Sequence, residues 1–307
     1  MKEIVIVSGK GGTGKTSITA SFAALARHSV IADCDVDAAN LHLILAPEIL
    51  SAHDFVAGVT AKLDPATCTG CGICEADCRF DAILPPEKPA DSPAYRIDPI
   101  ACEGCAVCAY VCPEKAIRME TDLCGSWFRS KTRYGPMLHA ELLPAQENSG
   151  RLVSVLRREA RQTAEENGAE VILVDGPPGV GCPVIASLTG ADYAVLVSEP
   201  TVSGLEDLKR VAKLAAHFGI RAGVVVNKAD INPELAGRIR GFASTAGLDV
   251  LGQAPYDISV TRAQAAAKTL IEAGSATVAA AIERIWRRLW AVVQGPEAAS
   301  VPFVLIS

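Results

Sequence analysis

The chain has 307 residues, of which 50% are hydrophobic and 21% are charged, and 29 Lys and Arg against 35 Asp and Glu give a net charge of −6. A chain with this apolar content can bury a substantial core, so the composition excludes general disorder. The acid excess and the lack of a basic stripe exclude a protein that coats nucleic acid, because affinity for polyanions depends on clustered Lys and Arg. No nucleic-acid partner is expected.

The N-terminal residues predict a strand instead of a targeting segment. Ile4–Val7 are apolar, but they are too few for the apolar region of about 7–15 residues in a signal peptide. No apolar run reaches the ~18–20 residues needed to cross a bilayer. A cytoplasmic protein is expected.

Short aliphatic runs alternate with helical patterns along most of the chain. Buried strands of this kind, separated by helices, predict an α/β fold in which a parallel sheet has helices on both faces. The predicted strands are 4–7, 30–32, 171–174, 194–197, 222–226 and 249–251, and the predicted helices are 16–27, 151–167, 203–217, 233–245 and 276–292.

A glycine-rich loop joins the first strand to the first helix. Gly9–Thr16 match G-x-x-x-x-G-K-[ST], the phosphate-binding loop, in the strand-to-helix context that the motif requires. Backbone amides and the helix dipole favour phosphate, Lys15 should reach the β- and γ-phosphates, and Thr16 should ligate Mg²⁺. The predicted nucleotide contacts are Gly9, Gly11, Gly12, Thr13, Gly14, Lys15, Thr16 and Ser17.

A second lysine, Lys10, gives this loop the pattern K-G-G-x-G-K-T. The loop therefore resembles that of the deviant phosphate-loop ATPases, a family that includes MinD, ParA, Mrp and the nitrogenase iron protein. The resemblance implies a homodimer, or a heterodimer with a related ATPase, that closes through the nucleotide face, with Lys10 touching the partner's nucleotide. On the sequence alone, a solvated loop lysine is the alternative interpretation of Lys10.

Aspartates follow the second predicted strand. Asp33–Asp37 resemble the D-x-D element of the same family, in which the second aspartate positions the attacking water, and this implies that role for Asp35. Phosphoryl transfer depends mostly on positioning and charge neutralisation, so one well-placed carboxylate suffices. Asp37 is the alternative candidate.

Eight of the eleven cysteines lie between residues 68 and 112. In a large cytoplasmic chain such crowding favours metal ligation over disulfides. The spacing is that of two bacterial ferredoxin runs, in which the fourth cysteine of each run ligates the other cluster. The predicted ligands are Cys68, Cys71, Cys74 and Cys112 for one [4Fe–4S] cluster, and Cys102, Cys105, Cys108 and Cys78 for the other. Zinc is the alternative, but zinc sites usually pair cysteines over longer spacers.

Residues 62–121 interrupt the α/β alternation, and we interpret them as an inserted ferredoxin-like α+β domain. Residues 1–61 and 122–307 then form the phosphate-loop ATPase domain. The aromatic and basic interval 122–149 should return the chain to the main sheet, with a turn predicted at Gly135–Pro136.

Two later strands end in polar residues. Asp175 follows the run 171–174 and resembles the Mg²⁺-side aspartate of the family, at the sheet edge where open α/β sheets bind ligands. Asn227–Asp230 read N-K-A-D, which resembles both the guanine-reading element of GTPases and the adenine-contacting asparagine of the deviant family. Pro255 and Asp257 are expected beside the base, and ATP is preferred over GTP.

The last predicted helix has an apolar stripe that includes Ile282, Trp286 and Trp290. Packing on the sheet is the expected role, and membrane contact, as in the C-terminal helix of MinD, is the alternative.

The motifs together resemble MinD-superfamily ATPases with an inserted ferredoxin domain, over most of the chain. The resemblance implies a dimeric, Mg²⁺-dependent ATPase that couples ATP binding and hydrolysis to electron transfer to a partner protein. Assembly or carriage of iron–sulfur or other metal cofactors is one alternative. A positioning ATPase of the MinD or ParA type, with a cluster-bearing insert, is another.

Overall fold

A computed structural model describes residues 1–87, 92–143 and 149–295. The chain forms two compact units. Within the described residues, the first contains 1–53, 126–142 and 149–295, and the second contains 54–87, 92–125 and 143. The predicted insertion, 62–121, lies inside the second unit, whose borders are wider on both sides.

Across the described residues there are eleven strands and eleven helices, and every predicted strand and helix overlaps one of them. The strands are β1 (Lys2–Ser8), β2 (Ser29–Asp33), β3 (Glu48–Leu63), β4 (Ile83–Leu84), β5 (Arg96–Ile97), β6 (Ile117–Thr132), β7 (Gly135–Leu142), β8 (Val171–Pro178), β9 (Tyr193–Ser198), β10 (Ala222–Val226) and β11 (Asp249–Gln253). The helices are α1 (Lys15–Leu25), α2 (Leu41–Leu45), α3 (Ile73–Ala76), α4 (Val107–Val111), α5 (Ser149–Asn167), α6 (Cys182–Leu188), α7 (Val202–His217), α8 (Pro233–Thr245), α9 (Ser259–Ala265), α10 (Leu270–Ala273) and α11 (Ala276–Gln294).

The main sheet has nine strands in the order β11-β10-β9-β1-β8-β2-β7-β6-β3. Strand β1 pairs in parallel with β8 and β9, and β2 pairs in parallel with β8 and β7. Ile4 and Ile6 pack in the core with α1 and α11, while the alternating Val5 and Val7 are equally buried. Because successive side chains of a strand point to opposite faces, both faces of the sheet are covered. The α/β prediction of a mostly parallel sheet is confirmed.

Three strands of this sheet were not predicted from the sequence. Strands β6 and β7 are joined by Arg133 and Tyr134 alone, and a two-residue connection requires antiparallel neighbours. The turn therefore precedes Gly135–Pro136, which begin β7, so the predicted turn position is wrong. A side chain at Gly135 would meet the carbonyl oxygen of Ser29 on β2, which explains the glycine at this close approach.

The second unit contains α3, α4, the two-stranded antiparallel sheet β4–β5 and the adjoining parts of β3 and β6. Its small core is formed by Ala61, Cys74, Ile83 and Ile117. Because the two 16-residue strands β3 and β6 run past both predicted borders, the unit begins at Asp54 and its main segment ends at Gly125.

The apolar stripe of α11 is buried in the core of the first unit. Ile282 is fully buried, and the Trp286 ring lies 5.3 Å from Phe22 and 5.5 Å from Trp290. This packing accounts for the stripe without a membrane. Over the described ranges, every helix is too short or too polar to cross a bilayer.

Candidate nucleotide site and cysteine cavities

The predicted phosphate loop lies between β1 and α1, and its path depends on glycine. Gly12 and Gly14 have φ of +77° and +88°, in the left-handed region that favours glycine. A side chain at Gly14 would collide with the Asn227 amide, and one at Gly9 would collide with Asp207. The loop therefore packs closely against α7 and against the residue that follows β10.

Lys15 stands between two of the predicted aspartates. Its Nζ lies 3.1 Å from Asp35 Oδ2 and 3.4 Å from Asp175 Oδ1. Burial lowers the pKa of Lys15, but the nearby carboxylates of Asp175 and Asp35 outweigh burial and raise it above its ordinary value. Thr19, one turn after Lys15 on α1, donates to Asp175 Oδ1 at 2.9 Å and was not predicted.

Of the Asp33–Asp37 carboxylates, only that of Asp35 reaches Lys15 within the described residues. Asp37 is exposed. Asp33, which sequence reasoning did not assign, is fully buried and accepts hydrogen bonds from the Asp35 and Leu41 amides. Burial, followed by the Asp175 charge, raises the pKa of Asp33 to about 8.

The donor set fits a Mg²⁺-bound nucleotide. Among the described residues, the buried atoms Thr13 Oγ1 and Asp175 Oδ2 have no hydrogen-bond partner. Buried polar atoms normally have partners, so both can accept a ligand. Thr16 is partly exposed on the first turn of α1, and Ser17 Oγ accepts a 2.7 Å hydrogen bond from Gln264.

Lys10 is held inside its own chain. Its Nζ lies 2.7 Å from Glu199 Oε1 and within 3.3 Å of the Thr201 and Ser203 hydroxyls. The other Glu199 oxygen pairs with Lys228 at 3.1 Å. Burial raises the pKa of Glu199, but hydrogen bonds from both lysines outweigh it and leave that pKa below its ordinary value. A role for Lys10 across a dimer stays a prediction.

A cleft of about 220 Å³ opens beside the phosphate loop. The predicted base-contacting residues Asn227, Pro255 and Asp257 line it, together with Tyr256 of the same loop and Gln264. The carboxylate of Asp257 accepts hydrogen bonds from the Ser259 amide and the Ser275 hydroxyl, so it holds the start of α9.

Two comparisons of the sequence bear on this arrangement. The model of the CobQ/CobB/MinD/ParA nucleotide binding domain family (CbiA) matches residues 4–270. The chain belongs to this family. An uncharacterized protein of Methanocaldococcus jannaschii is 32% identical over 75% of this chain and 79% of its own length. The chloroplastic minD homolog of Arabidopsis thaliana is 29% identical over 84% of this chain and 65% of its own.

Solved structures show the same fold. The cell division ATPase MinD of Pyrococcus furiosus superposes with a TM-score of 0.56 at 17% identity, covering 95% of this chain and 99% of that one. MinD of Pyrococcus horikoshii in complex with Mg-ADP gives the same score and identity over 95% and 97%. This CobQ/CobB/MinD/ParA member is thus a nucleotide-binding protein with a MinD-like α/β fold.

In the second unit of this family member, the eight clustered cysteines divide between two cavities. The division joins cysteines of different runs, because the fourth cysteine of each run lines the cavity of the other. Cavity A is lined by Cys68, Cys71, Cys74 and Cys112, and cavity B is lined by Cys78, Cys102, Cys105 and Cys108.

The backbone around the cavities is tight. Gly70, Gly72 and Gly104 all have φ between +65° and +77°, and a side chain at Gly104 would collide with the Val59 carbonyl oxygen. The Ala116 amide donates to Cys112 Sγ at 3.3 Å. Within the described ranges, no three His, Cys, Asp or Glu side chains are close enough to hold a single metal ion.

The three other cysteines lie outside both cavities. Cys34 and Cys124 are buried, and burial raises the pKa of the Cys34 thiol well above its ordinary value, which favours an inert thiol. Cys182 is exposed at the start of α6.

Proposed function

We propose that the protein is a Mg²⁺-dependent ATPase of the MinD and ParA type that acts as a nucleotide-dependent dimer and holds two [4Fe–4S] clusters in its second unit. The observation that supports hydrolysis most directly is Lys15 between Asp35 and Asp175. On nucleotide binding, Lys15 would turn to the phosphates, Thr16 and Asp175 would hold Mg²⁺, and Asp35 would orient the attacking water.

The contacts made by the N-K-A-D segment, Asn227–Asp230, favour ATP over GTP. Reading guanine requires a free Asp230 carboxylate in the cleft. Asp230 Oδ1 instead accepts a 2.6 Å hydrogen bond from the Tyr256 amide, and Asp230 is not among the residues that line the cleft. Asn227 lines it and is held by its 2.8 Å hydrogen bond to the Thr13 carbonyl.

The nucleotide proposal is tested by measuring phosphate release and nucleotide binding. Wild-type protein should hydrolyse ATP with Mg²⁺ and bind GTP more weakly. Lys15→Ala should abolish both binding and hydrolysis, whereas Lys213→Ala, on the outer part of α7, should change neither. Equal ATP turnover by Lys15→Ala would contradict the proposal.

The cluster proposal is supported by the four thiols that line each cavity. A cubane needs four thiolates spread over a wider space than the ligands of one ion. When bound, the clusters would supply one-electron chemistry. The cysteines would hold them, and the amide of Ala116 would stabilise thiolate charge at Cys112.

Iron analysis of paired substitutions tests the crossed arrangement. Cys68→Ser with Cys112→Ser changes cavity A alone and should leave about four irons per chain. Cys68→Ser with Cys78→Ser changes one run but both cavities, and should leave almost none. An equal loss in the two variants would contradict the crossing.

Electron transfer to a partner protein is the role that the cavities favour. A positioning role is favoured by similarity, because the relatives include septum-site MinD proteins. Transfer of a cluster to an acceptor is disfavoured, since four cysteines enclose each site.

Electron paramagnetic resonance of reduced protein should change between ADP and an ATP analogue if nucleotide controls the clusters. Unchanged spectra, together with ATP-dependent sedimentation on liposomes or DNA, would favour positioning instead.

A further inference from the structure

Resting on the proposed electron transfer, we propose that cavity B, and not cavity A, faces the redox partner, and that this partner is a small basic redox protein. The docking face is formed by the exposed apolar residues Phe80, Ile100, Val107 and Tyr110. We refer to these four residues as the cavity B face.

The exposure of these side chains supports a contact surface. Phe80 and Val107 both line cavity B and are 44% and 41% exposed. Tyr110 lies three residues after Val107 on α4, on the same side of the helix, and is 91% exposed. Ile100, two residues before Cys102, is 80% exposed. Large apolar side chains grouped on a surface indicate an interaction site.

The internal repeat shows that this grouping is specific to cavity B. Aligning the two runs by their cysteines gives a counterpart beside cavity A for each position. Val107 has an apolar counterpart, Ile73, which is 42% exposed. The other three have small or charged counterparts, which are Ala66 for Ile100, Ala76 for Tyr110 and Glu114 for Phe80. The same scaffold is therefore apolar at one cavity and not at the other.

Charge identifies the kind of partner. Residues 54–125 contain 12 Asp and Glu against 6 Lys and Arg, and each oxidised cubane with four thiolates adds about −2. At cavity B, exposed Glu103 and Asp81 supply acidic side chains, while Arg79 is the one basic neighbour in its run. An apolar centre with an acidic rim fits a protein with a basic rim. Polyanions such as DNA or anionic lipid would be repelled.

The probe for this face is mitochondrial cytochrome c, a small basic one-electron acceptor. The protein is reduced with dithionite, freed of excess reductant and mixed with ferric cytochrome c. Each electron that reduces the haem oxidises one cluster, and no bond or proton changes. Transfer should be fast at low salt and slow down as ionic strength rises.

The variant Phe80→Ala with Tyr110→Ala removes the two aromatic side chains of the cavity B face without changing its charge. It should slow the second-order transfer by about fivefold to tenfold with eight irons retained. The matched control, Ile73→Ala beside cavity A, should stay within about twofold of wild type. Amide hydrogen exchange of the oxidised protein gives a second readout. Cytochrome c should protect residues 98–111 and not residues 64–76.

The possible outcomes distinguish failure of the proposed function from failure of the inference about the cavity B face alone. A purified protein with far fewer than eight irons per chain overturns the proposed function and this inference with it. A fully loaded protein overturns the inference alone if Phe80→Ala with Tyr110→Ala transfers electrons at the wild-type rate, or if protection falls on residues 64–76.

Discussion

Around Lys15, two carboxylates contact one ammonium group, and a third carboxyl group is buried nearby. Asp35 and Asp175 contact Lys15, and Asp33 lies behind them with a pKa raised to about 8 by burial and by the Asp175 charge. The excess of negative charge attracts a cation but repels bare phosphates. Nucleotide should therefore bind as its Mg²⁺ complex, because Lys15 alone does not neutralise the negative charge of the carboxylates and the phosphates.

The water-positioning role should belong to Asp35. Asp35→Asn should lower ATP turnover by about 100-fold, with the Kd for ATP within about threefold of wild type, because positioning acts on the reaction and not on binding. Asp37→Asn, at an exposed position, should keep near-wild-type turnover. Phosphate release and equilibrium binding measure the two effects. A turnover loss in Asp37→Asn alone would assign the role to Asp37.

The contact between Lys10 and Glu199 predicts an effect on dimerisation. If Lys10 must leave Glu199 to reach a partner, Glu199→Gln should strengthen ATP-analogue-dependent dimerisation by about threefold, the range of a partly exposed ion pair. Glu206→Gln breaks the exposed pair with Lys209 and should have no effect. Sedimentation velocity measures both. Weaker dimerisation of Glu199→Gln would show that this pair does not restrain Lys10.

At the scale of elements, the β6–β7 hairpin contains a buried histidine. His139 Nε2 lies 2.9 Å from Ser130 Oγ on the neighbouring strand, and its ring stacks on Phe128 with 5.0 Å between centroids. Burial, followed by the charge of nearby His42, lowers the pKa of His139 to about 4. The hairpin is therefore built around the neutral imidazole.

This histidine predicts a pH dependence of stability. The pKa of His139 is lower folded than unfolded, so its contribution is complete above about pH 6.5 and is lost as pH falls toward 4. When the pH is lowered from about 6.5 to 4, the free energy of unfolding of the wild-type protein should fall by about 2 kcal/mol more than that of His139→Gln. Thermal unfolding at several pH values measures the difference. His28→Asn, at an exposed position, should keep the wild-type profile. An unchanged profile in His139→Gln would contradict the prediction.

At the scale of the whole molecule, two units with separate cores share one chain. The first has a large core around the parallel sheet, whereas the core cluster of the second has four buried residues, with partly buried apolar residues and cysteines packed against them. Small domains with so little core usually depend on bound metal for stability. Loss of iron should therefore destabilise the second unit far more than the first.

Excision of the second unit tests this independence. Replacing residues 54–125 with a short Gly and Ser linker should leave MgATP binding within about threefold, because all residues of the nucleotide site lie in the first unit. The matched full-length variant with both cavities emptied by Cys68→Ser and Cys78→Ser controls for loss of iron alone. Loss of ATP binding on excision alone would show that the first unit needs the second.

The features that could be predicted from the sequence are those formed by residues close together in the chain. The phosphate loop and the cysteine runs could be located from residue spacing, since the functional residues of each motif lie close together in the sequence. Thr19, Asp33 and Glu199 could not, because their roles depend on which strands become neighbours in the sheet. Strands β3, β6 and β7 were missed since their polar and aromatic residues lack the aliphatic runs of the central strands.

The strand order also has a consequence for how the protein is made. Strand β8 pairs with both β1 and β2 and lies between them, so the centre of the sheet cannot close before residue 178 has left the ribosome. The main segment of the second unit, Asp54–Gly125, is complete some fifty residues earlier. In the proposed cluster-bound protein, its thiols would therefore be available to iron while the nucleotide site is still unformed, and metal loading during synthesis would not depend on ATP.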